Sequence, residues 1–148
     1  MTSSGFRIAR NTYQQLRLEL AGDVDEEIAL SCERETRAQL ALANAGSLRV
    51  LWDLTGVKSY SLEARVVIVR LQRFLNTKAV RIAYIAADAT PRSLALWAAR
   101  MGGDERACVA ADRDSAEMWI NGRSDPNTLV RPIASFRGEA ANKNSARG

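Results

Sequence analysis

The sequence predicts an α/β domain with a mostly parallel mixed sheet of four to five strands, an N-terminal antiparallel hairpin and about four helices. Near-continuous apolar segments at 48–54 and 80–86 have the composition of central strands covered on both faces. Amphipathic segments with helical spacing alternate with them, which is typical of crossovers between parallel strands. Strict apolar–polar alternation over 15–20 indicates a half-buried strand before them.

The N-terminal part is predicted to form the hairpin and the first helix. Segment 6–10 alternates like a strand, 11–13 supplies a turn, and 15–20 returns antiparallel. Asp23 and Glu26 have the spacing of a capping box, so the first helix is expected to begin there and to run to Ala45–Gly46.

Two further strand–helix pairs follow. Strand 48–54 precedes a helix over 62–76, whose predicted core face includes Val66. Strand 80–86 precedes a third helix with Thr90 as the cap and Pro91 at its first position. In that helix Leu94, Trp97, Ala98 and Met101 recur at i, i+3, i+4 and i+7, which predicts one core face.

The last elements are a short strand over 107–111 and a helix that begins near Asp114 and ends at 121–122. We expect residues 1–122 to form a single domain and 123–148 to be a disordered basic tail. The net charge of +4 arises mostly in that tail, so the composition does not favour a nucleic-acid partner.

Composition also constrains the location and the chemistry. No apolar run is long enough to span a membrane, and no secretory signal is recognisable, so we expect a cytoplasmic protein without an integral membrane segment. The chain contains no histidine, no phosphate-binding glycine loop and no cluster with metal-ligand spacing. We therefore expect no catalytic residue, no metal site and no cofactor.

One stretch, residues 50–65, places polar side chains between a strand and a helix. Asp53 is expected to accept backbone amides in a structural turn with Thr55 and Gly56. The alternative, a phosphoacceptor aspartate as in receiver domains, lacks the paired acidic residues and the lysine that such a site needs. Ser61 precedes the second helix, where it is expected to be the N-cap, although a phosphate there would also be stabilised.

The hairpin, the strand V50-L-W-D53 running into L-T-G-V57, the helix start S61-L-E-A-R65 and the closing A116-E-M-W-I120 together resemble STAS-like domains, the anti-sigma factor antagonist fold. The likeness is to small stand-alone bacterial proteins of uncharacterised function and spans about residues 6–121. It implies helices mainly on one side of the sheet and a role in binding and signalling. The position of the phosphorylated serine of the antagonists is occupied here by Leu62.

These observations favour a non-catalytic regulatory module that binds another protein. Its recognition surface is expected on the loop and helix after the third strand, at Lys58, Ser59, Tyr60, Ser61 and Arg65. Tyr60 combines an apolar ring with a polar tip, which suits a contact anchor. The alternative is a carrier of a small apolar ligand or lipid between sheet and helices. A homodimer also stays open.

Overall fold

A computed structural model describes residues 3–10, 15–41, 48–102 and 107–122, apart from the side chain of Val80. The predicted tail and the predicted end of the first helix at Ala45–Gly46 lie outside the described residues. The elements are β1 (Gly5–Arg10), β2 (Gln15–Val24), α1 (Glu26–Leu40), β3 (Leu48–Tyr60), α2 (Leu62–Asn76), β4 (Ala79–Ile85), α3 (Ala89–Met101), β5 (Ala107–Ala110) and α4 (Arg113–Ile120).

The five described strands form one mixed sheet in the order β1-β2-β3-β4-β5. β1 and β2 pair antiparallel, and every later pair is parallel. The predicted fold class is therefore confirmed. Crossovers between parallel strands are right-handed, and each one here steps in the same direction, so α1, α2 and α3 lie on one face of the sheet.

The main core lies between that face and the three helices. Alternate residues of β2, β3 and β4 point into it, and α1, α2 and α3 contribute their inner faces. Trp52 of β3 and Tyr84 of β4 are fully buried neighbours in the sheet register, with their rings stacked and their centroids 6.2 Å apart. The space between the sheet and these helices is thus occupied by large side chains.

The second face of the sheet is covered by α4. Leu51, Ala83 and Ile85 point to this side and pack against Ala116 and Ile120 of α4. α4 reaches only β3, β4 and β5 with this apolar cluster, and on the second face β2 presents mainly polar and charged side chains, Gln15, Arg17, Glu19 and Asp23.

The starts of α1 and α4 differ from the predicted ones. The carboxylate of Asp25 accepts the Ile28 N–H at 2.8 Å and is the N-cap of α1, whereas Asp23 still belongs to β2. β2 stays paired with β3 through Val24, so Asp23 is held in the sheet and Asp25 is the first acidic residue able to leave it. At α4 the cap is Asp112, two residues before the predicted start.

The start of α3 was also predicted too late. Its N-cap is Asp88, and the helix includes Thr90 and Pro91 in its first turn. Pro91 is tolerated there because the first N–H groups of a helix have no intrahelical partner. The Asp88 carbonyl already accepts the Arg92 N–H at 3.0 Å, so the helical hydrogen bonds begin two residues before Thr90.

Candidate recognition surface on α2 and α3

The predicted loop after the third strand is itself a strand. β3 continues to Tyr60 and stays paired with β2 as far as Val24, and the register changes between Glu19–Asp53 and Ala21–Gly56. The predicted turn at Asp53–Gly56 is therefore a β-bulge with one extra residue on β3. The local role of Asp53 is as expected, because its Oδ1 accepts the N–H of Thr55 at 3.1 Å.

Asp53 lies on the second face of the sheet, away from α2 and α3. Its Oδ2 accepts a hydrogen bond from Arg17 Nη2 at 3.3 Å. Gly56 lies beside Ala21, and a Cβ added there would lie 3.1 Å from the Ala21 Cβ. The residues predicted as a structural turn thus fix the pairing of β2 and β3 and take no part in the surface described next.

The end of β3 carries three of the predicted binding residues. Lys58 is exposed, and the Ser59 hydroxyl donates to Asp23 Oδ1 at 2.7 Å. The Tyr60 ring is half-buried and packs against the core, and its hydroxyl lies 2.6 Å from the Oγ of Ser93. Tyr60 therefore joins the end of β3 to α3 rather than projecting from a loop tip.

Ser61 begins α2 as predicted. Its Oγ accepts the Ala64 N–H at 3.0 Å, which satisfies one of the amides left without an intrahelical partner. Its own N–H donates to the Val24 carbonyl at 3.1 Å. The start of α2 is thus tied both to its own first turn and to the end of β2.

Four large apolar side chains of α2 and α3 are exposed on the outer surface. Leu62 and Val66 on α2 are 65% and 60% exposed, and Trp97 and Met101 on α3 are 40% and 48% exposed. A groove of about 350 Å³ runs between the two helices, and we call it the α2–α3 groove; its lining residues are Arg65, Val66, Val69, Arg70, Arg73, Trp97 and Met101.

The assignment of Val66, Trp97 and Met101 to the core was therefore wrong. On α3 the inner face is formed by Leu94, Ala95, Ala98 and Ala99, which are buried. Small alanine side chains bring the helix close to the sheet, so the stripe that faces inward is narrow and Trp97 falls outside it. The signal in the sequence was the pair of alanines, Ala98 and Ala99, that follows Trp97.

The surface around the groove is basic. α2 and α3 together contain five arginines and a single acidic residue, Glu63. The Arg65 guanidinium lies 3.9 Å from the centre of the Trp97 ring, and Arg73 Nε donates to the Met101 carbonyl at 3.0 Å. Within the described part of the chain, Arg92 and Arg100 pair with no carboxylate. The net charge of the folded part as a whole does not show this asymmetry, whereas the net charge of each predicted helix, counted separately, does.

One carboxylate anchors the rim of the groove to α1. Glu33 accepts two hydrogen bonds from Arg70, at 2.7 Å from Nε and 2.6 Å from Nη2, and one from Arg37 at 3.4 Å. The hydrogen bonds from Arg70 lower the pKa of Glu33, against the opposing effect of its burial. The same pairing raises the pKa of Arg70.

We expect Glu33→Gln to lower the free energy of unfolding at pH 7 by about 1 kcal/mol, because Arg70 is half exposed and is partly solvated once its partner is neutral. A carboxyl whose folded-state pKa is depressed stabilises the fold above its unfolded pKa and loses that contribution as the pH falls through the folded pKa. The difference between wild type and variant, measured by urea denaturation, should shrink below about pH 4. A difference that stays constant down to pH 3 would contradict this assignment.

Both cysteine side chains are buried. Burial raises the pKa of the Cys32 thiol to about 12 and that of the Cys108 thiol to about 11, so both are protonated at neutral pH. Among the residues that the structure describes, no three His, Cys, Asp or Glu side chains converge where they could hold a metal ion. None of the described helices is long and apolar enough to cross a membrane.

The fold is SpoIIAA-like, which confirms the STAS-like architecture that the sequence predicts. The chain is similar to an uncharacterized protein of the DUF3478 family from Shewanella loihica PV-4 that has a SpoIIAA-like fold. The TM-score is 0.62 at 20% identity, over 80% of this chain and 95% of that one. It is also similar to the phosphorylated form of the Bacillus cell fate determinant SpoIIAA, with a TM-score of 0.53 at 13% identity, over 76% and 97% of the two chains. No family model and no curated protein matches the sequence significantly.

Proposed function

We propose that this chain is a non-catalytic regulatory module that binds another protein through the end of β3 and the outer face of α2. The fold supports the class of function, because its anti-sigma factor antagonist members act by binding partners. The binding residues in this proposal are Lys58, Ser59 and Arg65, with Tyr60 and Ser61 holding the end of β3 and the start of α2 in position.

The observation that carries the proposal is the exposure of Leu62 and Val66, one turn apart on α2 and next to Arg65. Exposed apolar residues that stand together and are rimmed by charge are characteristic of protein interfaces. Leu62 occupies the first helical position, where packing within the domain demands no apolar side chain. Its exposure is therefore better explained by a contact with another molecule.

The alternative function, a carrier of a small apolar ligand between sheet and helices, has less support. The space between the sheet and α1–α3 holds the buried rings of Trp52 and Tyr84. A concavity of about 210 Å³ on the second face includes Arg10, Arg17 and Glu117 in its lining, and these side chains suit a polar molecule better than a lipid.

The proposal is tested with the double variant Leu62→Glu/Val66→Gln. A glutamate at the first helical position is favourable for the helix dipole, so we expect the melting temperature to stay close to that of the wild type. A partner captured from the native host by the wild type should bind the variant at least about tenfold more weakly, because an apolar contact is removed. Binding is measured by titration with the purified partner.

The matched control is Ala38→Gln, at an exposed position of α1. It should leave both the melting temperature and the affinity for the partner unchanged. Equal affinity of the partner for the wild type and the double variant would contradict the proposed surface. Failure of the wild type to capture any protein would contradict the proposed function.

A further inference from the structure

The α2–α3 groove is long enough to contact two turns of a bound helix. Four of the five residues that α2 contributes, Val66, Val69, Arg70 and Arg73, recur at i, i+3, i+4 and i+7, so they line two turns of one helix face, about 10 Å long. Trp97 and Met101, one turn apart on α3, form the opposite wall. Two turns is the span over which an amphipathic helix presents successive apolar anchors to a groove.

The charge around the groove specifies its occupant. Arg65 and Arg73 flank it on α2, and Arg100 and Arg92 line the adjoining concavity along α3, which also includes Trp97. α3 contains no acidic residue. Guanidinium groups form hydrogen-bonded pairs with carboxylates, so a partner segment that carries acidic side chains beside its apolar ones would complement both features of this surface.

We propose that the α2–α3 groove binds an acidic amphipathic helix of the partner protein. This inference rests on the proposed function and adds the chemistry of the segment that is recognised. Apolar side chains of that helix contact Val66, Trp97 and Met101, and its glutamate or aspartate side chains pair with the arginines on both rims.

Charge complementarity favours this occupant over a second copy of the chain. A symmetric dimer through this surface would bring identical patches together, so arginines would face arginines. The groove is also concave, whereas binding to a lipid surface needs apolar side chains that insert from a protruding face. An acidic amphipathic helix is complementary to this groove in both shape and charge.

The test uses three synthetic peptides of about 18 residues, which is about five helical turns. One has leucine at i, i+3, i+4 and i+7 and glutamate elsewhere, the second scrambles the same composition, and the third replaces glutamate by lysine. Calorimetric titration of the full chain should show binding of the first peptide at least about tenfold tighter than of the scrambled one, and no binding of the third. Affinity should fall as salt is raised.

The charge-reversal variant Arg92→Glu/Arg100→Glu locates the site. Neither side chain pairs with a carboxylate in the described part of the chain, so folding should be retained, and binding of the acidic peptide should fall at least about tenfold. The control Arg34→Glu, on an exposed position of α1, should bind the peptide like the wild type.

Other outcomes overturn the inference. These are no binding of the acidic amphipathic peptide, equal binding of the scrambled one, or unchanged binding by the charge-reversal variant. Tighter binding to vesicles of phosphatidylglycerol and phosphatidylcholine, or to single-stranded DNA, than to the peptide also excludes it. If the captured partner still depends on Leu62 and Val66 in these cases, the proposed function stands and only the acidic helix is rejected.

Discussion

Replacement of Gln72 by methionine is expected to lower the free energy of unfolding by about 2 kcal/mol. Gln72 is fully buried on α2, and its Oε1 accepts the indole N–H of Trp52 at 2.9 Å. Methionine fills a similar volume but offers no comparable acceptor, so the buried indole N–H is left without its partner. The amide of Gln72 also donates to Asn76 Oδ1 at 2.9 Å, and that bond is lost as well.

A double-mutant cycle with Trp52→Phe separates the hydrogen bond from the change in packing. Phenylalanine lacks the N–H, so Gln72→Met should cost less in a Trp52→Phe background than in the wild type, with a coupling of about 1 kcal/mol. Urea denaturation of the four proteins measures it. Strictly additive effects would show that the contact between Gln72 and Trp52 contributes nothing to stability.

Gly22→Ala is expected to lower the free energy of unfolding by about 2 kcal/mol, for two reasons. Gly22 has φ +76°, in the left-handed region that residues with a Cβ avoid. A Cβ at this position would also lie 2.7 Å from the Cα of Ser4, and a backbone atom cannot rotate away. Ser4 is fixed there because its Oγ accepts the N–H of Asp23 at 2.9 Å.

Two other glycines separate these causes. Gly122 has φ +80° but open space around its missing Cβ, so Gly122→Ala isolates the conformational cost of about 1 kcal/mol. Gly5 has neither a positive φ nor a neighbour within 4 Å, and Gly5→Ala should be close to neutral. Thermal or urea denaturation should rank Gly22→Ala as the most destabilising of the three. An equal cost at Gly22 and Gly122 would exclude the steric conflict with Ser4.

The order of the elements could be predicted because the apolar periodicity of each segment reports which of its faces is buried. The element starts were less accessible, since several capping residues lie within a few positions of one another. At Asp23 and Asp25 the choice is made by the pairing of β2 with β3, which is a long-range contact. The same contact turns Thr55–Gly56, a turn signal on its own, into part of a bulged strand.

The candidate surface was predicted only in part. Arg65 and the start of α2 follow from local signals such as the Ser61 cap. Which side chains α3 exposes at this surface depends on how closely its alanines let the helix pack against the sheet. The apolar periodicity of the segment alone does not indicate that distance. The stacking of Arg65 on Trp97 joins residues from two helices and could be found only once their packing was known.

The order of the strands in space is the same as their order along the chain. Ligand crevices in open α/β sheets form where the strand order reverses, because neighbouring helices there leave to opposite faces and part at the carboxyl ends of the strands. The five described strands contain no such reversal, and α1, α2 and α3 all leave to the same face. The crossovers through α1, α2 and α3 therefore open no such crevice, and these three helices present one shared outer surface to other molecules; only α4, which follows β5, lies on the opposite face. New binding specificities can then arise by substitution of exposed residues on this helical surface, without any change to the sheet.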